Sequence, residues 1–170
     1  DAMYGALLRN EVPHLWARVG FASLKPLASW MRDLVERVSF VRRWLAEGHP
    51  VRYPLPAFFF PQGFLTGLLQ EHARKYREPI NLLGFGFRVM DDDPEAQHRK
   101  AGAADEEEEG PERPKDGAIV HGLWVEGCRW DLRRRCLMDP KPDERYAPMP
   151  SVHFVPENKK KKQGGGGGGG

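Results

Sequence analysis

Cysteine is scarce in this protein, with Cys128 and Cys136 the only two in 170 residues. Two thiols cannot build the disulfide framework that staples small secreted domains, and no secretory signal pattern opens the sequence. No apolar run approaches the eighteen or more residues of a membrane span. Tight ligand pairs such as CxxC or HxxxH are absent, so His121, Cys128, Cys136 and His153 do not read as structural zinc. The phosphate-loop pattern GxxxxGK[ST] is missing too. Gly84 and Gly86 flank Phe85 but do not sit between a strand and a helix, so they fail as a dinucleotide fingerprint. Cys136 with a distant histidine is a pairing that any sequence of this length offers. The expectation is a reduced intracellular protein with no metal, nucleotide or nucleophile site in its pattern.

Charge of one sign is also lacking overall, since the formal net charge is +2. The balance hides an asymmetry. Residues 91–116 hold eleven acidic and four basic residues, a net of −7, which leaves +9 on the rest. The basic residues outside that tract are scattered through helical patterns and read mainly as solvated faces. Paired carboxylates occur only in "DDDPE" and "DEEEE" of the tract. Acids on a flexible segment cannot hold the separation that acid–base catalysis requires, so a mobile solvated insert over 91–116 is expected. Weak calcium binding or a basic partner is the lesser reading. Residues 157–170, with Lys159–Lys162 and seven glycines, are expected to be a disordered tail with no apolar side chain to bury.

The sequence does not begin with Met and opens inside a helical pattern, Met3 to Leu8, as a fragment would. That first helix is limited by Pro13. A long helix is expected to begin at Pro26, where a first helical residue tolerates proline. Leu27, Met31, Leu34, Val38, Val41 and Leu45 recur at alternating spacings of four and three, one stripe expected to face the core. Trp30, Phe40 and Trp44 widen it, while Arg37 and its charged neighbours fall outside. Gly48 and Pro50 end it. Four prolines in "HPVRYPLPAFFFP" exclude a central strand there. Pro61 starts a second helix, with Arg74, Lys75 and Arg77 in its last turn, and Pro79 stops it.

The period then drops to two. Leu83, Phe85, Phe87 and Val89 share one face of a half-buried strand, and Gly84, Gly86 and Arg88 share the other. Bare glycines there admit a close neighbour. "GAIVHGLWVEG" reads as the next strand, "GCRWD" as a turn away, and "PSVHFV" as a third strand. Helices first and strands second give an α+β class with segregated halves. The expected division is a helical subdomain over 1–80 and a β subdomain over 81–156.

"FFFPQGFLTGLLQEHARKY" closely resembles the signature of the C-terminal domain of dynein heavy chains, particularly the axonemal ones. Upstream, "VPHLWARVGFASLKPLASWMRDLVERVSFVRRWL" is similar to the family's VPxxW…SLKPLxxWxxDLxxRxxFxxxW pattern. Downstream, "IVHGLWVEGCRWD" resembles VHGLxxEGAxWD, and "PMPSVHFVP" resembles MPxIxxxP. The likeness spans about residues 7–156. It implies a helical subdomain followed by a small antiparallel β-barrel, lying on the ATPase ring of a minus-end-directed microtubule motor. It further implies that ATP and magnesium belong to the parent ring, with no cofactor here. The implied partners are that ring, together with intermediate, light intermediate and light chains and microtubules through the parent complex. Membrane and nucleic acid are not expected. Cytoplasm, cytoskeleton and the axoneme of a cilium or flagellum are the implied locations. Two departures stand out. The acidic insert exceeds the family's usual turn, and "ENKKKKQ" replaces the closing strands, so an incomplete barrel with an open edge is expected.

The residues expected to carry structural and interface roles are Trp30, Leu34, Trp44, Phe58, Phe59, Phe60, Pro61, Gly63, Phe64, Gly67, Trp124 and Trp130. Consecutive residues of an extended segment point to opposite sides, so the three phenylalanines suit a junction between two layers. Gly63 and Gly67 would leave room for close packing along the second helix. Two other readings remain from the residues alone. One is a free-standing intracellular binding module for a peptide or nucleic acid, suggested by the glycine–aromatic strand and the basic tail. The other is an enzyme whose pocket the sequence does not reveal.

Overall fold

The computed structural model describes residues 2–21, 23–92 and 113–159. The expectations placed on residues 93–112 and 160–170 lie outside the described residues. The protein divides into two units, one of Asp1–Pro50 with Ala57–Phe59, the other of Val51–Pro56 with Phe60–Gly170.

The first unit holds three helices, α1 (Ala2–Leu8), α2 (His14–Val19) and α3 (Leu27–Glu47). Pro13 and Pro26 sit at the N-caps of α2 and α3, just outside each helix, and no side chain of the cap itself bonds to either end. The orphan amides of α3 are met from a distance. Asn10 accepts from Leu27 N through its carbonyl (2.9 Å) and from Ala28 N through Oδ1 (3.3 Å). Gly48 closes α3, its N–H donating to the Trp44 carbonyl at 3.0 Å.

Among the described residues, the second unit carries α4 (Pro61–Tyr76) and eight strands: β1 (Arg52–Pro54), β2 (Leu83–Val89), β3 (Ala118–His121), β4 (Trp124–Glu126), β5 (Arg129–Asp131), β6 (Cys136–Met138), β7 (Tyr146–Pro148) and β8 (Val152–Asn158). Four strands form a sheet in the order β1-β3-β8-β2, parallel at β1–β3 and antiparallel elsewhere. β4 with β7, and β5 with β6, make two antiparallel ribbons. The α+β class with an open β half is therefore present, and no sheet closes into a barrel among the described residues. Proline-rich β1 sits at a sheet edge, where a missing N–H costs no ladder bond. Ala118, Ile119 and Val120 of β3 are all buried between β1 and β8, and Tyr53, Leu68, Leu83 and Val152 complete this core.

Three expectations change. "GAIVHGLWVEG" is not one strand but two, β3 and β4, broken after His121. More consequentially, β2 and β3 both run antiparallel to β8 and flank it, so they are parallel to each other. Parallel strands cannot be joined by a two-residue hairpin turn. The last strand also runs further than its apolar pattern, since β8 continues through Glu157 and Asn158, which pair with Gly84 and Leu83.

Candidate functional site

An aromatic cluster organises the first unit. Trp30 is 3% exposed and stacks between Phe21 (5.2 Å between ring centres) and Trp16 (6.3 Å), with its indole N–H donating to the Phe21 carbonyl. Phe58 meets Phe40 and Trp44 edge-on at 5.9 and 6.0 Å. Phe59 meets Phe21 edge-on at 6.0 Å. Arg37 ties the two halves of the cluster together. Its guanidinium lies 3.9 Å from the centre of the Phe21 ring and 5.4 Å from that of Phe59, and it donates to the Phe58 carbonyl at 3.3 Å. Burial lowers the Arg37 pKa from its ordinary value, with Asp33 one turn earlier opposing.

The face of α3 that meets this cluster is Trp30, Arg37, Phe40 and Trp44, spaced by seven, three and four. The aliphatic stripe expected to be the core lies about 100° away around the helix axis. Only Leu27 and Leu34 of it are half-buried, while Met31, Val38, Val41 and Leu45 are exposed, Leu45 by 83%. Val35, beside the stripe, is exposed as well. The reason is local supply. The partners that α3 finds in its own unit are the rings of Trp16, Phe21, Phe58 and Phe59, so its aromatic row and Arg37 turn inward. An apolar row along a 21-residue helix is left facing solvent.

In the second unit the ends of the acidic tract are held, although the tract was expected to be mobile throughout. At its start Asp92 accepts from Arg52 (2.6 Å) and from Ser151 N (2.9 Å). Asp91 pairs with Arg135 on the surface. At its end Asp116 accepts from Lys75 (2.7 Å) and Tyr76 (2.8 Å), and its carbonyl takes the Nε2 proton of His153 at 2.9 Å. Desolvation pushes the Asp116 carboxyl up, but the bonds from Lys75 and Tyr76 outweigh it, so its pKa is lowered. The bond to Asp116 raises Lys75. Gly117 follows with φ +76°, and a Cβ there would run into the Phe154 carbonyl. These groups tie Asp92 to β1 and Ser151, and Asp116 to α4 and β8.

The remaining singled-out residues are spread along the sequence. Phe58, Pro61, Phe64, Leu34, Trp44 and Trp130 are half-buried. Phe59 and Phe60 are 56% and 70% exposed. Phe58 and Phe59 belong to the first unit and Phe60 to the second, so the run changes units after Phe59. The Phe60 ring folds back over Gly63, where a Cβ would come within 2.8 Å of it. Phe64 packs on Tyr53 at 4.9 Å. Gly67 faces open space, and Trp124 is exposed on β4. Sequence reasoning passed over Arg37, Asn10, Asp92 and Asp116. Only Arg37 left a signal, by sharing the spacing of Trp30, Phe40 and Trp44.

The chemistry available is that of a surface. Among the described residues no group of three or more His, Cys, Asp or Glu is placed to hold a metal ion. Cys128 and Cys136 are free thiols, and His153 Nε2 is committed to Asp116. The shifted tyrosine, Tyr53, is raised first by burial, with Arg113 lowering it and Glu71 raising it. No described helix is long and apolar enough to cross a membrane.

Comparison with known proteins gives one consistent result. Residues 1–166 match the family model for the C-terminal domain of dynein heavy chains. The protein is 42% identical over 164 residues to dynein axonemal heavy chain 6 of Homo sapiens, an overlap of 92% of its own length and 4% of the relative's. It is 40% identical over 157 residues to dynein axonemal heavy chain 1 of Mus musculus, an overlap of 92% and 3%. With dynein axonemal heavy chain 12 of Homo sapiens the identity is 36% over 159 residues, an overlap of 94% and 5%. The 170 residues thus span a small fraction of the length of these relatives.

Proposed function

The protein belongs to the family of C-terminal domains of dynein heavy chains, and from that premise we propose that it is a non-catalytic accessory domain packing on the ATPase ring of an axonemal heavy chain. The observation that carries this reading is the exposed row Met31, Val35, Val38, Val41 and Leu45 on α3. An apolar row of that length is costly to leave in water, and burying it against a larger body removes the cost. The ring supplies such a body within the same polypeptide. The domain then braces the ring and tunes the output of a minus-end-directed microtubule motor in a cilium or flagellum. ATP and magnesium stay with the ring. Microtubules and the intermediate, light intermediate and light chains are reached through other parts of the complex.

The test is a complete heavy chain with Val38→Glu and Leu45→Glu introduced together. Both positions are exposed in this domain, so its own fold should survive. Altered ATPase rate or gliding speed with unchanged expression supports the reading. Unaltered motor output with both charges in place overturns it.

A further inference from the structure

We propose that the edge of β2 left unpaired among the described residues pairs antiparallel with β2 of a second copy of this protein. The pairing is independent of how the domain meets a ring. β2 is the last strand in the order β1-β3-β8-β2, and it pairs with β8 along all seven of its residues. The next residue, Met90, donates its N–H to the Ser151 carbonyl at 2.8 Å. Along an antiparallel ladder, hydrogen-bonded and non-bonded pairs alternate. Counting back from Met90, the backbone groups of Arg88, Gly86 and Gly84 point toward β8. Those of Phe85, Phe87 and Val89 therefore point away, and none of them bonds to another described residue outside the strand ladder. Leu83 differs, since its N–H is taken by the Ile80 carbonyl.

The side chains along this edge are those that natural edges avoid. Leu83–Val89 has no proline and one charge, and Phe87 is 62% exposed. Its ring meets Phe154 at 4.9 Å and Phe85 at 6.4 Å, so three phenylalanines form an open aromatic face.

The occupant follows from the strand's own near-symmetry about Gly86. With a two-fold axis through Gly86, outward-pointing Phe85 of one copy meets outward-pointing Phe87 of the other, twice. Each aromatic face then continues into its copy. Gly86 falls opposite Gly86 at a non-bonded pair, where the backbones come closest. Arg88 falls opposite Gly84, so the two guanidinium groups do not face each other, and like charge does not oppose the pairing. The contact is isologous and closes at two copies. One strand pair buries less than a standard interface, so the dimer should be weak, with Kd on the order of micromolar.

Sedimentation equilibrium of the whole 170-residue protein, from about 5 to about 200 µM, reads this directly. The expected result is a mass rising from one copy to two. Phe87→Lys and Phe87→Pro should each shift the midpoint at least about tenfold upward. The Phe87 N–H points away from β8, so proline there spares the β2–β8 ladder, and lysine tests the edge if the proline variant does not fold. Amide exchange should slow at Phe85, Phe87 and Val89 as concentration rises. A monomer throughout the range overturns the proposal, as does a dimer that both variants leave intact. Growth beyond two copies also overturns it. So does protection of those amides that ignores concentration, because the molecule itself would then cover the edge.

Discussion

The Arg37 guanidinium lies over the Phe21 ring, 3.9 Å from its centre, although the two residues are sixteen positions apart in sequence. Arg37 also reaches Phe59 and the Phe58 carbonyl, so one cation joins three segments of the first unit. Arg37→Ala should destabilise this unit by about 2–4 kcal/mol, with a partly buried cation–π contact and a charged hydrogen bond both lost. Arg37→Lys should recover little, since an ammonium cannot lie flat on a ring and donate sideways at once. Urea unfolding followed by tryptophan fluorescence checks both, and a lysine variant as stable as the parent would contradict the stacking account.

The three consecutive phenylalanines should differ in cost. Phe58→Ala removes two edge-on contacts from a half-buried ring and should cost about 2–4 kcal/mol. Phe59→Ala, at a ring more than half exposed, should cost about 1 kcal/mol. Phe60→Ala should fall within about 0.5 kcal/mol of the parent. Equal losses at all three positions, measured by the same unfolding series, would mean that the run is buried as a block.

Gly117→Ala should be severe, because φ +76° disfavours any side chain and the added methyl meets the Phe154 backbone. A loss of at least about 2 kcal/mol is expected. Gly63→Ala meets only the exposed Phe60 ring, which can swing aside, so it should be near neutral or gain from helix propensity. Melting temperatures of the two variants separate a backbone requirement from a movable side chain.

Acid should loosen the bonds that Asp116 makes to α4. The folded Asp116 pKa is depressed, so its contribution is present above the unfolded carboxyl value of about 3.9 and is lost as pH falls through the folded value. The Lys75 pKa is raised, so its contribution is complete below about 10.4 and is lost as pH rises through the folded value. Asp131, held low first by the Arg134 amide, adds to the acid limb. Asp116→Asn should flatten part of the fall in urea midpoint between about pH 5 and about pH 2. An acid limb identical to the parent's would show that Asp116 is not bonded as described.

The long helix, its proline start and glycine stop, the strand at 83–89 and the final strand were legible because each is a local pattern. Which face of α3 turns inward was not. Periodicity ranks Leu27, Val38 and Leu45 as a better stripe than Trp30, Arg37 and Trp44. Phe21 and Phe58, brought from elsewhere in the sequence, decide otherwise. β6 and β7 are three residues each, too short to show a period, and they exist through pairing with β5 and β4. That β2 and β3 are not neighbours was hidden because β8, the strand between them, comes last in sequence. Phe87 was expected on a half-buried face. That face is buried at Leu83 and open at Phe87, a gradient that alternation cannot encode.

Binding between this 170-residue protein and a dynein ring lacking its own C-terminal domain tests the central claim most directly. Saturable binding in the micromolar range or tighter is predicted, weakened at least about tenfold by Val38→Glu with Leu45→Glu. No binding by the folded protein, or equal binding by the charged variant, would contradict the assignment of the α3 stripe as the docking face.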